Sequence, residues 1–513
     1  MIPQGRKEWV LKNKYLLMLI AILLFAFIIR VQYLNTNQAV WWDAADYLMS
    51  AKEIGGVTNL ETYDLNPKRP FLMPLIWGIT YRLGGNETLF NLTEIILSWL
   101  TVLFTYLIAK EFFNEKIALI ATFMMSVLWM PIFFTHRLMT DVPALAFWLM
   151  TFYYFYKGYI KEEGKKYFYY SMAFLALSIF TRAASLINII PIAIMMLIKQ
   201  RLSLFKDKKF WVSLLIFLLV LSPFIIWIFA SYDNPLYEFT KSRGYKGEPY
   251  NLSNLSNLWN NLSYITATLL TPYLSNLLTP NLMGFIILLL VLFLSLDALI
   301  GLDLVIKNKD QDLTKKFFIL ISILTPYLFY SLFNPGIEDR YLMGMYPFMF
   351  ILFGVGLVKL KDFLARYNKI LSVIFIIVLL FIFGFVNFKT TDMTIKSKAD
   401  SYAPVALAGK WIYENSYKMD KVISASKFQN MYYSERETYP FPKNEEEFAS
   451  YLESVKPKYI VVSVFEPGFT PQWVYSYFDK YKDMFRPVQA YTATNNQALL
   501  VIYEYLPRNE DVA

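Results

Sequence analysis

Apolar residues gather in long runs separated by polar connections, at roughly 14–33, 90–109, 117–135, 141–158, 167–182, 184–199, 210–230, 281–306, 316–334, 341–359 and 370–388. A helix of ~20 residues crosses a hydrocarbon core of ~30 Å, so the pattern predicts about 11 transmembrane helices. The first run, Tyr15 to Ile29, continues into Arg30 with no small-residue cleavage site, and is read as a retained helix, not a signal peptide. Two polar stretches are too long to be simple connections. Residues 34–89 predict a helix near 43–54 and an apolar segment from Phe71 to Leu83, both lying at the membrane surface. Residues 231–280 are rich in Asn, Leu, Ser and Tyr, with Asn-Leu-Ser at Asn251, Asn254 and Asn261 that fit glycosylation acceptors on an exposed face. From about 396 the pattern changes to that of a soluble α/β domain. A helix is expected over Val405 to Asn415, strands over Val422 to Ala425, Tyr459 to Val464 and Leu499 to Tyr505, and a helix over Glu445 to Ser454. The chain therefore divides into a membrane domain, 1–395, and a C-terminal domain, 396–513.

Composition agrees with a polytopic helical membrane protein: 56% of residues are hydrophobic, 18% aromatic, and the mean hydropathy is +0.38. Cysteine is absent, which excludes disulfides and thiolate chemistry. The net charge of +9 is a topology signal. Every second connection is basic, as at Lys157, Lys161, Lys165 and Lys166, or Lys307, Lys309, Lys315 and Lys316, so the positive-inside rule puts the N-terminus in the cytoplasm. An odd number of spans then puts the C-terminal domain outside. Nucleic-acid binding is not expected, and the C-terminal domain has no Gly-rich phosphate loop.

The candidate chemistry lies on the outer side. In Trp41-Trp42-Asp43-Ala44-Ala45-Asp46-Tyr47, the residues Asp43, Asp46 and Tyr47 are spaced i, i+3, i+4 and share one face if the segment is helical; the tryptophans suit a membrane–water boundary. Cations stand where the topology rule expects few: Lys68 and Arg69 before Pro70, Arg137 after the third span, Arg182 at the end of the fifth, and Arg340 beside Glu338 and Asp339 at the start of the tenth. One arginine at such a place snorkels easily, but several together can surround a phosphate, to which the guanidinium fork is suited. Asp141 is a third acid, in a segment where Thr140 or Asp141 can also cap the next helix. His136, the single histidine, makes a His-based metal centre or a Ser-His-Asp triad implausible and reads as a boundary residue.

In order and side these landmarks resemble the GT-C membrane glycosyltransferases, in particular the branch of the protein O-mannosyltransferases and the lipid A aminoarabinose transferase. The segments that carry the resemblance are Trp42-Asp43-Ala44-Ala45-Asp46-Tyr47, Lys68-Arg69-Pro70-Phe71-Leu72-Met73-Pro74, Arg137-Leu138-Met139-Thr140-Asp141-Val142-Pro143, Thr181-Arg182, and Arg340-Tyr341 with Pro347. It spans about residues 14–388. The family often carries Asp-Glu at the acidic motif; here Ala44 takes the second place, and Asp43 is the matched acid. There is no Trp-Trp-Asp-Tyr-Gly in the C-terminal domain, which argues against an oligosaccharyltransferase.

The resemblance implies a multi-pass enzyme of the cell membrane that moves a sugar from a polyprenyl-phosphate donor to a hydroxyl of a protein, lipid or glycan acceptor. A carboxylate such as Asp43 can take the acceptor proton, and cations can replace a general acid because phosphate is already a good leaving group. The expected roles are Asp43 as base in an inverting displacement, Lys68, Arg69, Arg137, Arg182 and Arg340 at the donor phosphate, and Asp46, Asp141, Tyr47 and Tyr341 positioning the sugar or a divalent cation, whose need is left open. No other cofactor is implied. The competing class is a polyprenyl-lipid flippase or transporter, but no internal repeat is detected and the acids cluster at the outer face instead of mid-membrane. A scaffold would need no constellation of acids and cations.

Overall fold

The computed structural model describes residue 9 and residues 11–58, 60, 69–232, 255–270, 279–307, 310–333, 338–493 and 495–507. Every expected apolar run forms a helix. Among the described residues, seven helices are long and apolar enough to cross a membrane, or eight if Glu115–Val127 and Trp129–Thr135, bent by 50°, are one span. The remaining runs are shorter helices: Asp141–Phe155, extended by the π-helical turn Tyr156–Ile160, together with Lys165–Thr181 and Pro280–Leu294. Among the described residues, the expected count of about 11 transmembrane helices becomes seven or eight of spanning length. Apolar composition alone does not separate a short helix packed inside a bundle from one facing lipid.

Both helices expected in the 34–89 segment are present, as Trp42–Gly55 and Leu72–Arg82. The first ends at Gly56 in the left-handed region, φ +66°, with the Val57 N–H donating to the Lys52 carbonyl at 3.0 Å, an ending that favours glycine. The two helices cross through glycines. A Cβ at Gly55 would lie 2.7 Å from the Gly78 carbonyl oxygen, and one at Gly78 would lie 2.8 Å from that of Ala51. Since this crossing fixes the helix bearing Asp43, Gly78→Val is expected to cost about 1–3 kcal/mol through overpacking. A lowered melting temperature of the purified variant checks this.

In the 231–280 segment, Asn251 and Asn254 lie outside the described residues. Asn261 is buried and donates to Ser331 Oγ at 3.0 Å, so it is not the exposed glycan acceptor its tripeptide suggests.

The C-terminal part is a five-stranded mixed sheet, β1 Lys421–Ser424, β2 Thr438–Tyr439, β3 Pro457–Ser463, β4 Phe485–Thr492 and β5 Ala498–Tyr505, in the order β2-β1-β3-β5-β4. Alternation along β1 and β3 sends Ile423 and Ile460 to one core and Val422 and Val461 to the other, so helices cover both faces. This domain docks on the helical body. The Val40 N–H donates to Tyr433 Oη at 2.8 Å, Gln429 donates to the Val40 carbonyl at 2.9 Å, and Tyr432 Oη donates to Glu87. Trp42 stacks on Phe469 at 4.9 Å and meets Phe428 edge-on at 5.0 Å, while Trp41 packs edge-on against Phe133 and Tyr402. Both tryptophans therefore help bind the domain to the helices, through their large rings.

Candidate active site

The helix Trp42–Gly55 puts Asp43, Asp46 and Tyr47 on one face, as their spacing requires; that face meets two arginines from other parts of the chain, and a third joins through Asp141. Arg69 reaches in just ahead of the helix Leu72–Arg82. Its Nη2 lies 2.7 Å from Asp43 Oδ1, its Nε lies 2.8 Å from Asp46 Oδ2, and the guanidinium rests over the Tyr47 ring at 4.9 Å. Arg340, in the turn Asp339–Met345, places Nη2 3.2 Å from Asp43 Oδ2, Nη1 3.8 Å from Asp141 Oδ2 and Nε 2.7 Å from Glu338. Arg182, at the end of the helix Lys165–Thr181, lies 2.9 Å from Asp141 Oδ1. Tyr341 flanks the cations, 5.3 Å from Arg182 and 5.8 Å from Arg340, and Tyr47 Oη lies 3.2 Å from Thr140 Oγ1. The capping alternative for this segment fails: Thr140 occupies the N-cap position but makes no side-chain cap bond, and the Asp141 carboxylate faces the arginines.

Asp46 is wholly buried and Asp141 nearly so, whereas the Asp43 side chain keeps 28% of its exposure. Asp43 is thus the carboxylate of the three most open to an incoming molecule. Burial pushes its pKa up, but Arg69 and Arg340 outweigh burial and hold it below the usual carboxylate range. It is ionised at neutral pH and, while both guanidiniums stay on it, a weak base.

This arrangement changes the picture of free cations awaiting a phosphate. Four carboxylates, Asp43, Asp46, Asp141 and Glu338, already surround three guanidiniums, and an arriving phosphate must compete for Arg69 and Arg340. The three aspartates are each drawn to an arginine instead of converging on a common point, and among the described residues no group of three or more potential ligands is gathered around a metal position. A cavity of about 60 Å³ continues from the cluster between Asp141, Arg182, Arg340 and Tyr341.

Of the expected phosphate residues that are described, one is not in this cluster. Lys68 lies outside the described residues. Arg137 is described, and the structure does not bring it here: it rests over Trp41 at 4.3 Å and Phe133 at 4.8 Å and donates to the Lys398 carbonyl at 3.1 Å. An arginine at an outer helix end satisfies aromatic faces and carbonyls as readily as it does a phosphate.

One residue of the site escaped sequence reading. Glu466, in the loop Phe465-Glu466-Pro467-Gly468-Phe469 after β3, belongs to the C-terminal domain yet is buried beside the Asp43 end of the cluster. Burial pushes its carboxyl up to about 7, Asp43 adds to the rise, and a hydrogen bond from Tyr402 opposes it. A lone acid in a loop carries no pattern; the only signal was its place in a Pro-Gly turn at the carboxyl end of a strand. Folded protein retains this proton at a pH where the unfolded chain, near 4.5, has lost it. The stabilisation is therefore fully present below the unfolded value and is lost as pH rises through the folded one. Glu466→Gln, which stays neutral, should melt above wild type at pH about 8 and converge with it as the pH falls; a melting series across pH checks the crossing.

The comparisons agree with this architecture. Residues 68–227 match the family model described as dolichyl-phosphate-mannose-protein mannosyltransferase. No curated protein matches by sequence. ArnT from Cupriavidus metallidurans in its apo state superposes with a TM-score of 0.62 at 12% identity, covering 97% of this chain and 98% of that one. The same protein bound to undecaprenyl phosphate gives 0.61 at 11% identity, covering 96% and 98%. The archaeal oligosaccharyltransferase AglB from Archaeoglobus fulgidus, in complex with an inhibitory peptide and a dolichol-phosphate, gives 0.54 at 12% identity, covering 98% of this chain and 75% of that one. The fold is that of the GT-C membrane glycosyltransferases, as the resemblance in sequence implied: a polytopic helical body with a small sheet domain at its C-terminal end.

Proposed function

We infer that the chain is a membrane glycosyltransferase that moves a sugar from a polyprenyl-phosphate donor to an acceptor hydroxyl, at the membrane face that carries the C-terminal domain. The observation that carries this reading is the cluster itself: a partly open carboxylate, Asp43, shared by two arginines from separate elements, at the junction of helices and domain. The family match over 68–227 and the polyprenyl phosphates bound by similarly folded proteins support the donor class. The alternation of basic connections supports a cytoplasmic N-terminus and an outer site.

In the reaction the donor phosphate draws Arg69 and Arg340 off Asp43. Relief of that pairing raises the basicity of the carboxylate at the moment an acceptor arrives. The acceptor oxygen attacks the anomeric carbon as its proton passes to Asp43; the carbon–phosphate oxygen bond breaks, and its electron pair leaves on polyprenyl phosphate, where the arginines meet the charge. One displacement inverts the anomeric configuration. Asp46 and Asp141 hold Arg69 and Arg182 in place and are positioning residues. The test is reconstituted protein with labelled polyprenyl-phosphate sugar and a membrane extract as acceptor. Label on the acceptor, with equimolar polyprenyl phosphate released, is the expected result; label that only crosses between leaflets would make the chain a flippase.

A further inference from the structure

A cavity of about 590 Å³ lies between the helices Pro280–Leu294, Tyr346–Leu364 and Lys369–Ser397. It shares no lining residue with the cavity beside Asp141. Its walls are leucine, isoleucine, phenylalanine and methionine side chains with Gly356, and among the described residues that line it Lys359 alone is charged. Protein interiors are close-packed, so a space of this size needs a content, and an apolar space excludes water. Leu290, Phe293 and Leu360 of the lining are exposed, so the cavity opens sideways from the bundle, where a spanning protein meets hydrocarbon. What fits there is a hydrocarbon chain.

Charge selects the molecule that brings the chain. The helix Tyr346–Leu364 follows directly on the turn that holds Arg340, and at ~1.5 Å per residue Lys359 lies ~20 Å along it from Tyr346. The charged mouth of the cavity is thus on the membrane side opposite the Asp43 cluster. Lys359 is exposed and forms no ion pair with a described residue. Lys361, Arg366 and Lys369 share its connection with a single acid, Asp362, which Lys361 already holds at 2.7 Å. Lipid tails are as apolar as leucine, so a chain gains little by leaving the bilayer for this cavity, and the headgroup must supply the preference. A polyprenyl tail reaching in from a phosphate at the Asp43 cluster would bring nothing to Lys359. A glycerophospholipid of net negative charge brings an anion to the lysine and a chain to the cavity together. We propose that this cavity holds one acyl chain of an anionic glycerophospholipid from the leaflet opposite the Asp43 cluster, with the lipid phosphate on Lys359.

Native mass spectrometry of the full chain, released from nanodiscs of equal parts dioleoyl phosphatidylglycerol and dioleoyl phosphatidylcholine, tests this. The phosphate of phosphatidylcholine carries its own cation, and that of phosphatidylglycerol does not. One phosphatidylglycerol should stay on each chain, favoured over phosphatidylcholine about fivefold, the scale of one lysine beside an anionic lipid. Lys359→Gln, a change at an exposed position that leaves the fold intact, should retain lipid without that preference. Leu357→Trp, which fills the cavity and is confirmed folded by its melting temperature, should retain none. Sugar-free polyprenyl phosphate should not displace the bound lipid, and Asp43→Asn should hold it as wild type does, so failure here is distinguishable from failure of the transferase reading. No retained phosphatidylglycerol, equal retention of the two lipids by wild type, an unchanged preference in Lys359→Gln, or displacement by polyprenyl phosphate would each overturn the proposal.

Discussion

Asp43→Asn is expected to remove sugar transfer while leaving the protein folded and inserted. Asparagine keeps the shape of the side chain and an oxygen for one of the two arginines, but its NH2 can neither accept from the other nor take the acceptor proton, so the loss in kcat should be on the order of 10²–10⁴. Arg69 keeps Asp46 and Arg340 keeps Asp141 and Glu338, so the variant leaves no guanidinium without a carboxylate, and the melting temperature should fall little. Asp46→Asn makes the contrast. That carboxylate is fully buried and accepts from Arg69, and weakening this charge-assisted bond should cost about 1.5–3 kcal/mol, so this variant should lose stability first and activity as a consequence. Paired measurements of turnover and melting temperature separate the two. Equal turnover in Asp43→Asn and wild type would remove Asp43 from the chemistry.

The second large effect belongs to Arg340. It joins Asp43, Asp141 and Glu338 through different nitrogens of one guanidinium, and it is one of the two arginines a donor phosphate must recruit. Arg340→Ala should raise KM for the donor and lower kcat, with a combined loss in kcat/KM of about 10²–10³, the scale of removing one transition-state donor. Arg340→Lys keeps the charge but cannot span the same partners with a single ammonium, and should recover only part of that loss. Arg137→Ala, by contrast, should leave the donor KM near wild type, because Arg137 faces Trp41 and Phe133 and not the cluster. A donor KM that rises as much in Arg137→Ala as in Arg340→Ala would mean that the phosphate binds elsewhere than at the Asp43 cluster.

The site was legible in part, for physical reasons that particular residues show. Asp43, Asp46 and Tyr47 could be grouped because helical periodicity turns spacing into a shared face. Arg182 and Arg340 stood out because cations at outer helix ends violate the topology rule. Arg137 gave the same signal and belongs elsewhere, since sequence does not say whether a guanidinium meets a carboxylate or an indole. The pairing of arginines with aspartates was hidden too, because it depends on three segments distant in the chain meeting at one point. Glu466 gives no signal beyond its place in a Pro-Gly turn, being a single acid whose position depends on docking of the C-terminal domain. In that domain β3 and β5 are apolar and were foreseen, while β4, an edge strand with largely exposed residues and Pro487, and the two-residue β2 were not. The short helices Asp141–Phe155 and Lys165–Thr181 show the remaining limit: apolar runs reveal helices, but not which of them reach across the bilayer.

In the proposed reaction Arg69 and Arg340 leave Asp43 to receive a lipid phosphate, as against being fixed partners of the aspartates. Binding of sugar-free polyprenyl phosphate to the purified protein measures this directly. Saturable binding by wild type is expected, with at least tenfold weaker binding by Arg340→Lys and equal or tighter binding by Asp43→Asn, in which a competing carboxylate is gone. Polyprenyl phosphate affinity that is the same in wild type and Arg340→Lys, or that collapses in Asp43→Asn, would contradict it.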